Sequence, residues 1–356
     1  MISQNALHHA EKCRFCFMCR HLCPVQLQTG KEINTPRAKG LVLSMVNKGA
    51  ETFDKDMANT MYECLLCDAC VNDCATGYQP PIYIREARTE AVVNDLAPKA
   101  VMQLIENVEA SGNIYGMEKP DFSQDGTDVL VYIGDVAACK VPQMAKSLLA
   151  VLKKAGVSAK VLAKEPSSGM QLADLMGYVQ EVTDQARACA DAINAAGLPT
   201  VVVLDSYDAE IMKQHYEEWG IQIKAEIVTA TSFVAKLIED GKLSPAASKN
   251  VLGACHDDDR LARTFHEFAP IRTIAKAAGY DIAEMFNKER LAKSCGSAVA
   301  LAYMSEIVKK VAAGRWDDLN RTAACAMLVA NPQAYICLEQ AVPQGKTLID
   351  LYSALV

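Results

Sequence analysis

Two short cysteine runs near the N-terminus constrain this chain more than any other feature. The first spans residues 13–24 and reads CRFCFMCRHLCP, and the second spans 64–74 and reads CLLCDACVNDC. Both have the spacing C-x2-C-x2-C-x3-C, and together they hold eight of the chain's 14 cysteines. The start, MISQNALHHAEKC, lacks the apolar stretch of a secretory signal, and the repeated spacing is wrong for a disulfide framework. We therefore interpret these cysteines as metal ligands.

The spacing favours iron–sulfur clusters over zinc. Three thiolates two residues apart can wrap one corner of a cuboidal cluster, and the fourth then reaches a neighbouring cluster. The expected ligands cross between the runs: Cys13, Cys16, Cys19 and Cys74 for one 4Fe–4S cluster; Cys64, Cys67, Cys70 and Cys23 for the other. Zinc sites, the alternative, usually use two C-x2-C knuckles for each ion.

The insert between the two runs is predicted to be helical. Thr35 followed by Pro36 is typical of a helix start, and residues 80–96 again place prolines ahead of a helical pattern. Several cations lie near the cysteine runs in sequence: Arg37, Lys39, Arg85 and Arg88. Cations at these positions could raise a cluster's potential, but we expect them on solvated helix faces.

The rest of the chain alternates short apolar runs with helical patterns, which predicts parallel-sheet units. A strand–helix order begins at residues 128–135 and a comparable order restarts at 250–255, which indicates a distant internal duplication. The predicted fold class is α+β: a helical ferredoxin-like domain with two 4Fe–4S clusters, then two α/β repeats with parallel sheets. The predicted boundaries are 1–100 for the helical domain, 101–125 for a linker, and 126–243 and 244–356 for the repeats.

Composition limits the classes of function. Hydrophobic residues make up 51% of the 356 residues, enough for a substantial core, but no apolar stretch is long enough for a membrane helix. The net charge of −7 argues against nucleic acid as the main partner. We expect a cytoplasmic protein, peripheral at the inner face of the membrane where a partner brings it there.

The cysteine runs, the helical insert and the two repeats together resemble the iron–sulfur subunits with cysteine-rich CCG domains. This group includes subunits of glycolate oxidase, anaerobic glycerol-3-phosphate dehydrogenase and heterodisulfide reductase. The resemblance implies that each repeat supplies a cysteine after its first strand, a Cys-Cys-Gly and a later C-x2-C. In the heterodisulfide reductases these cysteines hold catalytic clusters.

The first repeat departs from that pattern at every position. Asp135 stands at the strand end, residues 167–169 read SSG, and residues 205–208 read DSYD. Aspartate and serine are poor ligands for iron–sulfur clusters. We therefore interpret this repeat as structural.

The second repeat keeps part of the pattern. Cys255 and His256 follow its first strand, residues 294–296 read SCG, and Cys337 lies beyond the position of the lost C-x2-C. Two interpretations stay open: a third iron centre at Cys255, Cys295 and Cys337, or buried cysteines that pack as small hydrophobes. The acidic run 257–259 is interpreted as a loop and first helical turn rather than a cation site.

The pattern as a whole predicts an electron-transfer subunit that relays electrons through two 4Fe–4S clusters. Gly134 opens no dinucleotide fingerprint and no flavin motif is visible in the sequence, so partners are expected. These are a flavoprotein dehydrogenase subunit or an electron-transfer flavoprotein on one side, and a quinone-linked membrane subunit or another carrier on the other. The alternative is a catalytic subunit like heterodisulfide reductase, with the third centre as its active site. The sequence leaves enzyme status open and favours a non-catalytic subunit; substrate, direction of electron flow and oligomeric state are not encoded in any motif.

Overall fold

The computed structural model describes residues 2–356, and its N-terminal part is a helical domain that surrounds both cysteine runs. The predicted helix after Thr35 is confirmed: the Thr35 hydroxyl accepts the N–H of Ala38, and Pro36 occupies the first turn. The helices of this part are α1 (Gln4–Glu11), α2 (Met18–Leu22), α3 (Pro24–Thr29), α4 (Pro36–Asn47), α5 (Lys55–Tyr62), α6 (Ala69–Asn72), α7 (Pro80–Val93) and α8 (Lys99–Ser111).

Helix α8 occupies the first half of the segment predicted as a linker. Its buried residues Val101, Ile105 and Val108 pack into the same core as the apolar residues of the first repeat. The helical domain and the first repeat are therefore joined by a packed helix rather than by a free connection.

The first repeat is a four-stranded parallel sheet with helices on both sides. Its strand order is β2-β1-β3-β4. Its elements are β1 (Val129–Tyr132), α9 (Asp135–Lys140), α10 (Pro142–Lys154), β2 (Ala159–Lys160), α11 (Met170–Met176), α12 (Gln180–Ala196), β3 (Thr200–Val203), α13 (Ser206–Glu210), β4 (Glu226–Thr229) and α14 (Ala230–Glu239).

The second repeat has the same architecture. Its parallel sheet has the order β6-β5-β7-β8, which is the order of the first sheet with the strands renumbered. Its elements are β5 (Val251–Cys255), α15 (Ala269–Ala277), β6 (Tyr280–Ile282), α16 (Ala298–Tyr303), α17 (Ser305–Asn320), β7 (Ala326–Val329), α18 (Pro332–Glu339), β8 (Thr347–Asp350) and α19 (Leu351–Leu355). The predicted fold class, with its two parallel α/β repeats, is confirmed.

The two repeats face each other through the carboxyl ends of their central strands. The Asn331 amide donates to the Ser206 hydroxyl at 2.7 Å, and that hydroxyl donates to Asp258 at 2.5 Å. The Gln333 amide donates to Asp205 at 2.8 Å. These buried hydrogen bonds occupy the edge where the resembled family carries thiolates, so here the edge is a polar interface between the repeats.

Helix α3 of the N-terminal domain packs against α17 of the second repeat, and α7 packs against α11 of the first. The cysteine loops therefore lie against both repeats. Over residues 2–356, none of the helices combines the length and the apolar character needed to cross a lipid bilayer.

Candidate metal centres

The two cysteine loops have the same backbone conformation. In the first, Phe15 and Phe17 flank Cys16 with φ values of 52° and 66°. In the second, Leu66 and Asp68 flank the middle cysteine with φ values of 53° and 58°. A left-handed conformation costs a residue with a side chain about 1–2 kcal/mol. Because four such residues occur at matching positions, the loop shape is imposed by the cysteine spacing and its surroundings.

This shape turns backbone amides toward sulfur. The N–H of Phe15 donates to the Sγ of Cys13 at 3.4 Å, and the N–H of Leu66 donates to the Sγ of Cys64 at the same distance. Hydrogen bonds to ligand sulfur stabilise the more negative, reduced state of an iron–sulfur cluster and so raise its potential.

Five thiols line a cavity at the protein surface, which we call the open cavity: the set of Cys13, Cys16, Cys19 and Cys74, together with Cys70. Of the set, Cys16 is exposed and the other three are partly buried. Burial raises the pKa of the Cys19 thiol, and the thiols that raise it further are the other three of this set. The four thiols therefore line one cavity and are electrostatic neighbours of one another.

A second set of four thiols lines a neighbouring cavity, the buried cavity: Cys23, Cys64, Cys67 and Cys70. Burial raises the pKa of the Cys70 thiol well above its usual value, and the other three thiols of the set raise it further. Burial also raises the pKa of Cys23 to about 11. Cys70 lines the open cavity as well, so the two cavities are adjacent.

The donor sets fit two clusters better than two single ions. Four thiolates from two sequence runs, with amide donors to sulfur, suit a 4Fe–4S cluster. The two sets are those that the spacing predicts, although the ligands themselves remain a prediction.

Cations surround the buried cavity. Lys39 is 1% exposed, its ammonium group donates to the carbonyl of Thr60, and it lies near the thiols of Cys64 and Cys23. Arg88 donates to the Cys64 carbonyl at 2.7 Å. We expected all four cations on solvated helix faces, and for Lys39, Arg85 and Arg88 this expectation is wrong. These three side chains are buried and pair with backbone carbonyls or a carboxylate.

Two further arginines come from the second repeat, and the sequence analysis missed both. Arg263 donates to the Cys67 carbonyl at 2.7 Å and to Asp259 at 2.7 Å. Arg260 pairs with Asp68 at 3.1 Å. Both follow β5 in a π-helical turn, a helix irregularity that is frequent at functional sites. They bind the second cysteine loop to the second repeat.

The acidic run after β5 is part of the same network. Asp258 accepts the N–H groups of Arg260 and Leu261, as expected of a first helical turn. However, all three aspartates are buried, and Asp257 pairs with Arg272 at 2.7 Å. Asp257 and Asp259 are therefore buried ion-pair partners of arginines that follow them in sequence, and Asp258 caps the helical turn.

The cysteines of the second repeat line neither the open nor the buried cavity. Cys255, Cys295 and Cys337 are all buried, and burial together with the nearby Cys337 thiol raises the pKa of Cys295. The electrostatic neighbours of Cys255 are instead the charged groups around Arg272 and Asp257. Two of the three thiols are close to each other, and the third iron centre stays a prediction.

Comparison with known families and proteins agrees with this geometry. Residues 9–78 match the 4Fe-4S dicluster domain family. The match covers both cysteine runs and the helical insert.

Curated relatives extend the similarity into the repeats. The chain is 24% identical over 306 residues to a probable membrane-anchored ferredoxin of Chromohalobacter salexigens, an alignment with 80% of this chain and 46% of the relative. It is 22% identical to the EtfAB:quinone oxidoreductase of Syntrophomonas wolfei, over 80% of this chain and 42% of that protein. It is also 22% identical to the probable iron-sulfur-binding oxidoreductase FadF of Bacillus subtilis, over 69% of this chain and 38% of that protein. The chain spans less than half the length of each.

A solved structure shares the fold. A hypothetical protein from Helicobacter pylori superimposes with a TM-score of 0.59 at 11% identity, over 99% of this chain and 72% of that one. At this identity the likeness concerns the fold alone.

The fold and the cysteine sites define an iron–sulfur protein of the electron-transfer oxidoreductase type. Its N-terminal part is a dicluster domain that carries two 4Fe–4S clusters. The expected class, an iron–sulfur oxidoreductase subunit, is thereby confirmed.

Proposed function

We propose that this chain relays electrons through its two clusters, between a flavin-containing dehydrogenase or electron carrier and a second acceptor. The observation that carries the proposal is the placement of the two cysteine-lined cavities. They share Cys70, one reaches the surface beside the exposed Cys16, and the other lies within the helical domain and contains the buried Cys67, whose carbonyl accepts from Arg263 of the second repeat. Adjacent redox centres at different depths are what a relay requires.

We propose crossed ligation for these sites. Cys13, Cys16 and Cys19 would act with Cys74 in the open cavity. The remaining ligands, in the buried cavity, would be Cys64, Cys67, Cys70 and Cys23. The fourth ligand of each set comes from the other run, so neither cluster can form without both loops in place.

The chain's own groups have defined tasks in this proposal. The clusters supply one-electron chemistry. The amides of Phe15 and Leu66 hold the thiolates through N–H···S hydrogen bonds. Lys39 places a positive charge beside Cys23 and Cys64, which favours the more negative, reduced state of the buried site. Arg263 closes the second loop against the second repeat and excludes water from it.

The relatives suggest the partners. One is named as an EtfAB:quinone oxidoreductase and another as membrane-anchored. For this chain we propose an electron-transfer flavoprotein or flavin-containing dehydrogenase as one partner. A quinone-linked membrane subunit as the other would hold the chain at the inner face of the membrane.

Iron and acid-labile sulfide, counted on anaerobically purified protein, test the proposal. Two four-iron clusters give about eight irons per chain and support the relay. About twelve irons, with the excess lost in Cys295→Ala, would favour the heterodisulfide-reductase alternative, for which the neighbouring Cys295 and Cys337 are the supporting observation. Zinc without labile sulfide would contradict both. Cys325→Ala, at an exposed cysteine outside both cavities, is the matched control.

A further inference from the structure

An apolar surface surrounds the mouth of the open cavity. Residues 14–18 are all exposed, and among them Phe15, Phe17 and Met18 show 48%, 46% and 52% of their surface to solvent. Two of them, Phe17 and Met18, also line the cavity beside Cys16. Scattered exposed apolar residues are ordinary, but three large ones at the mouth of a redox site form a patch of the kind that proteins use for contact.

The patch is held in one shape. The guanidinium carbon of Arg37 lies 3.9 Å from the ring centre of Phe17 and 6.0 Å from that of Phe15. Both phenylalanines have left-handed backbone conformations, set by the cysteine loop between them. Binding to such a surface loses little conformational entropy, because the side chains are already ordered.

The charge around the patch is opposite to that of the rest of the protein. Residues 1–40 contain six Lys and Arg against two Asp and Glu, whereas the remaining residues contain 30 against 41. Arg14 and Arg20 are exposed at the patch. Two acids near it are paired. Glu32 pairs with Arg37 at 2.6 Å and with Arg20 at 3.7 Å. Asp73, which lines the same cavity, pairs with Arg290 at 3.9 Å. A cationic rim around an apolar centre attracts a negatively charged partner.

We propose that this aromatic port, made of Phe15, Phe17 and Met18 with Arg14 and Arg20, is the docking site for an acidic electron-carrier protein. The inference rests on the proposed relay and names the surface and the charge of its partner. One electron crosses the port in each encounter: the reduced carrier loses it and the open-cavity site gains it, or the reverse, and no bond forms or breaks. Such encounters use small, transient interfaces that are steered by charge.

The test uses the cluster-loaded protein and reduced flavodoxin, an acidic flavin carrier, as the probe. Binding is measured anaerobically by calorimetry over a range of salt concentrations, and the rate of electron transfer by stopped flow. Arg14→Glu with Arg20→Glu is expected to weaken binding at low salt by about tenfold or more and to flatten its salt dependence. Lys224→Glu with Lys242→Glu makes an equal charge change at exposed sites of the first repeat. It is expected to leave the affinity and its salt dependence unchanged.

Phe17→Ala separates the apolar contact from the charge. It is expected to weaken flavodoxin binding while leaving its salt dependence intact. Equal affinities for the port and control charge variants, or no binding of flavodoxin to the unaltered protein, would overturn the docking inference. Reduction of both clusters by dithionite in every variant shows that the relay itself is intact; clusters that dithionite cannot reduce would instead contradict the proposed function.

Discussion

The open cavity and the buried cavity use the same loop, with left-handed residues on both sides of the middle cysteine and an amide bonded to the first sulfur. Their surroundings differ. Solvent and exposed aromatic residues flank Cys16, whereas Lys39, Arg88 and Arg263 enclose the loop of Cys67. The comparison teaches that one loop conformation can stand in two different surroundings. In the proposed relay the loop would provide ligation, while burial and nearby charges would set one site for exchange with partners and the other for the interior of the protein.

The largest expected effect comes from removing ligands. Cys16→Ala and Cys74→Ala should each abolish the same cluster signal, and Cys67→Ala and Cys23→Ala should abolish the other. Each loses about four of about eight irons, because a cuboidal cluster does not persist with its site incomplete.

Iron content and EPR spectra of the four variants check this crossed pattern. If Cys74→Ala abolishes the same signal as Cys67→Ala, the ligands do not cross. The exposed Cys325→Ala keeps both signals and is the control.

The next effect concerns Arg263, whose guanidinium donates to the Cys67 carbonyl beside the buried cavity and to Asp259. Arg263→Met leaves the carboxylate of Asp259 and the carbonyl of Cys67 without their buried partner. Breaking a buried ion pair in this way should lower the free energy of unfolding by about 3–5 kcal/mol. Urea unfolding followed by far-UV circular dichroism measures it.

Arg290→Met is the control, since the Arg290–Asp73 pair, 3.9 Å apart, involves an arginine that is half exposed. It should cost at most about 1 kcal/mol. An equal loss of unfolding free energy in Arg263→Met and Arg290→Met would show that the buried ion pair contributes no more to stability than the exposed one.

The polar network between the repeats should make stability depend on pH. Burial raises the pKa of Asp205 from 3.8 to about 7, so the folded protein binds this proton more tightly than the unfolded chain. The stabilisation from this proton is complete below about pH 4 and is lost as pH rises toward 7.

In the unaltered protein this group should make the free energy of unfolding fall as pH rises, by up to about 1.4 kcal/mol per pH unit. Asp205→Asn should remove that contribution to the slope. Urea unfolding at several pH values measures the slope. The exposed Asp240→Asn should leave it unchanged. An unchanged slope in Asp205→Asn would mean that other groups carry the pH dependence.

The smallest expected effect is on reduction potential. Lys39→Met removes the positive charge beside Cys23 and Cys64, so the reduced buried site loses stabilisation and its potential should fall. The open site, whose neighbouring cation is Arg37, should keep its potential. EPR-monitored redox titration resolves the potentials of the two sites, and Lys48→Met, at an exposed position, is the control. A fall at both sites, or at neither, would contradict the assignment of Lys39 to the buried cavity.

Sequence reasoning recovered what depends on local spacing. The two cysteine runs, the helix start at Thr35 and the repeated strand order all follow from patterns within a few residues of one another. Arg263 illustrates what does not: its carbonyl partner, Cys67, lies 196 residues away along the chain. No local pattern marks such a pair.

Lys39 shows the same limit for charged residues. From the sequence of its helix, Lys39 looks like an ordinary solvated lysine. It is buried because the Thr60 carbonyl and the thiols of Cys23 and Cys64 lie next to its ammonium group. The acidic run 257–259 was likewise recognisable as a helix start but not as buried. Asp259 pairs with Arg263 only four residues further on, but the partner of Asp257, Arg272, lies 15 residues away in the next helix.

The EPR spectrum of the fully reduced protein tests the central claim most directly. Because the two cavities share Cys70, the reduced clusters should interact magnetically and give a split, broadened spectrum. That spectrum should collapse to one simple signal when either Cys16→Ala or Cys67→Ala removes a cluster. A spectrum of the unaltered protein that equals the sum of the two single-cluster spectra would show that the clusters do not interact, and would contradict the adjacent pair on which the relay depends.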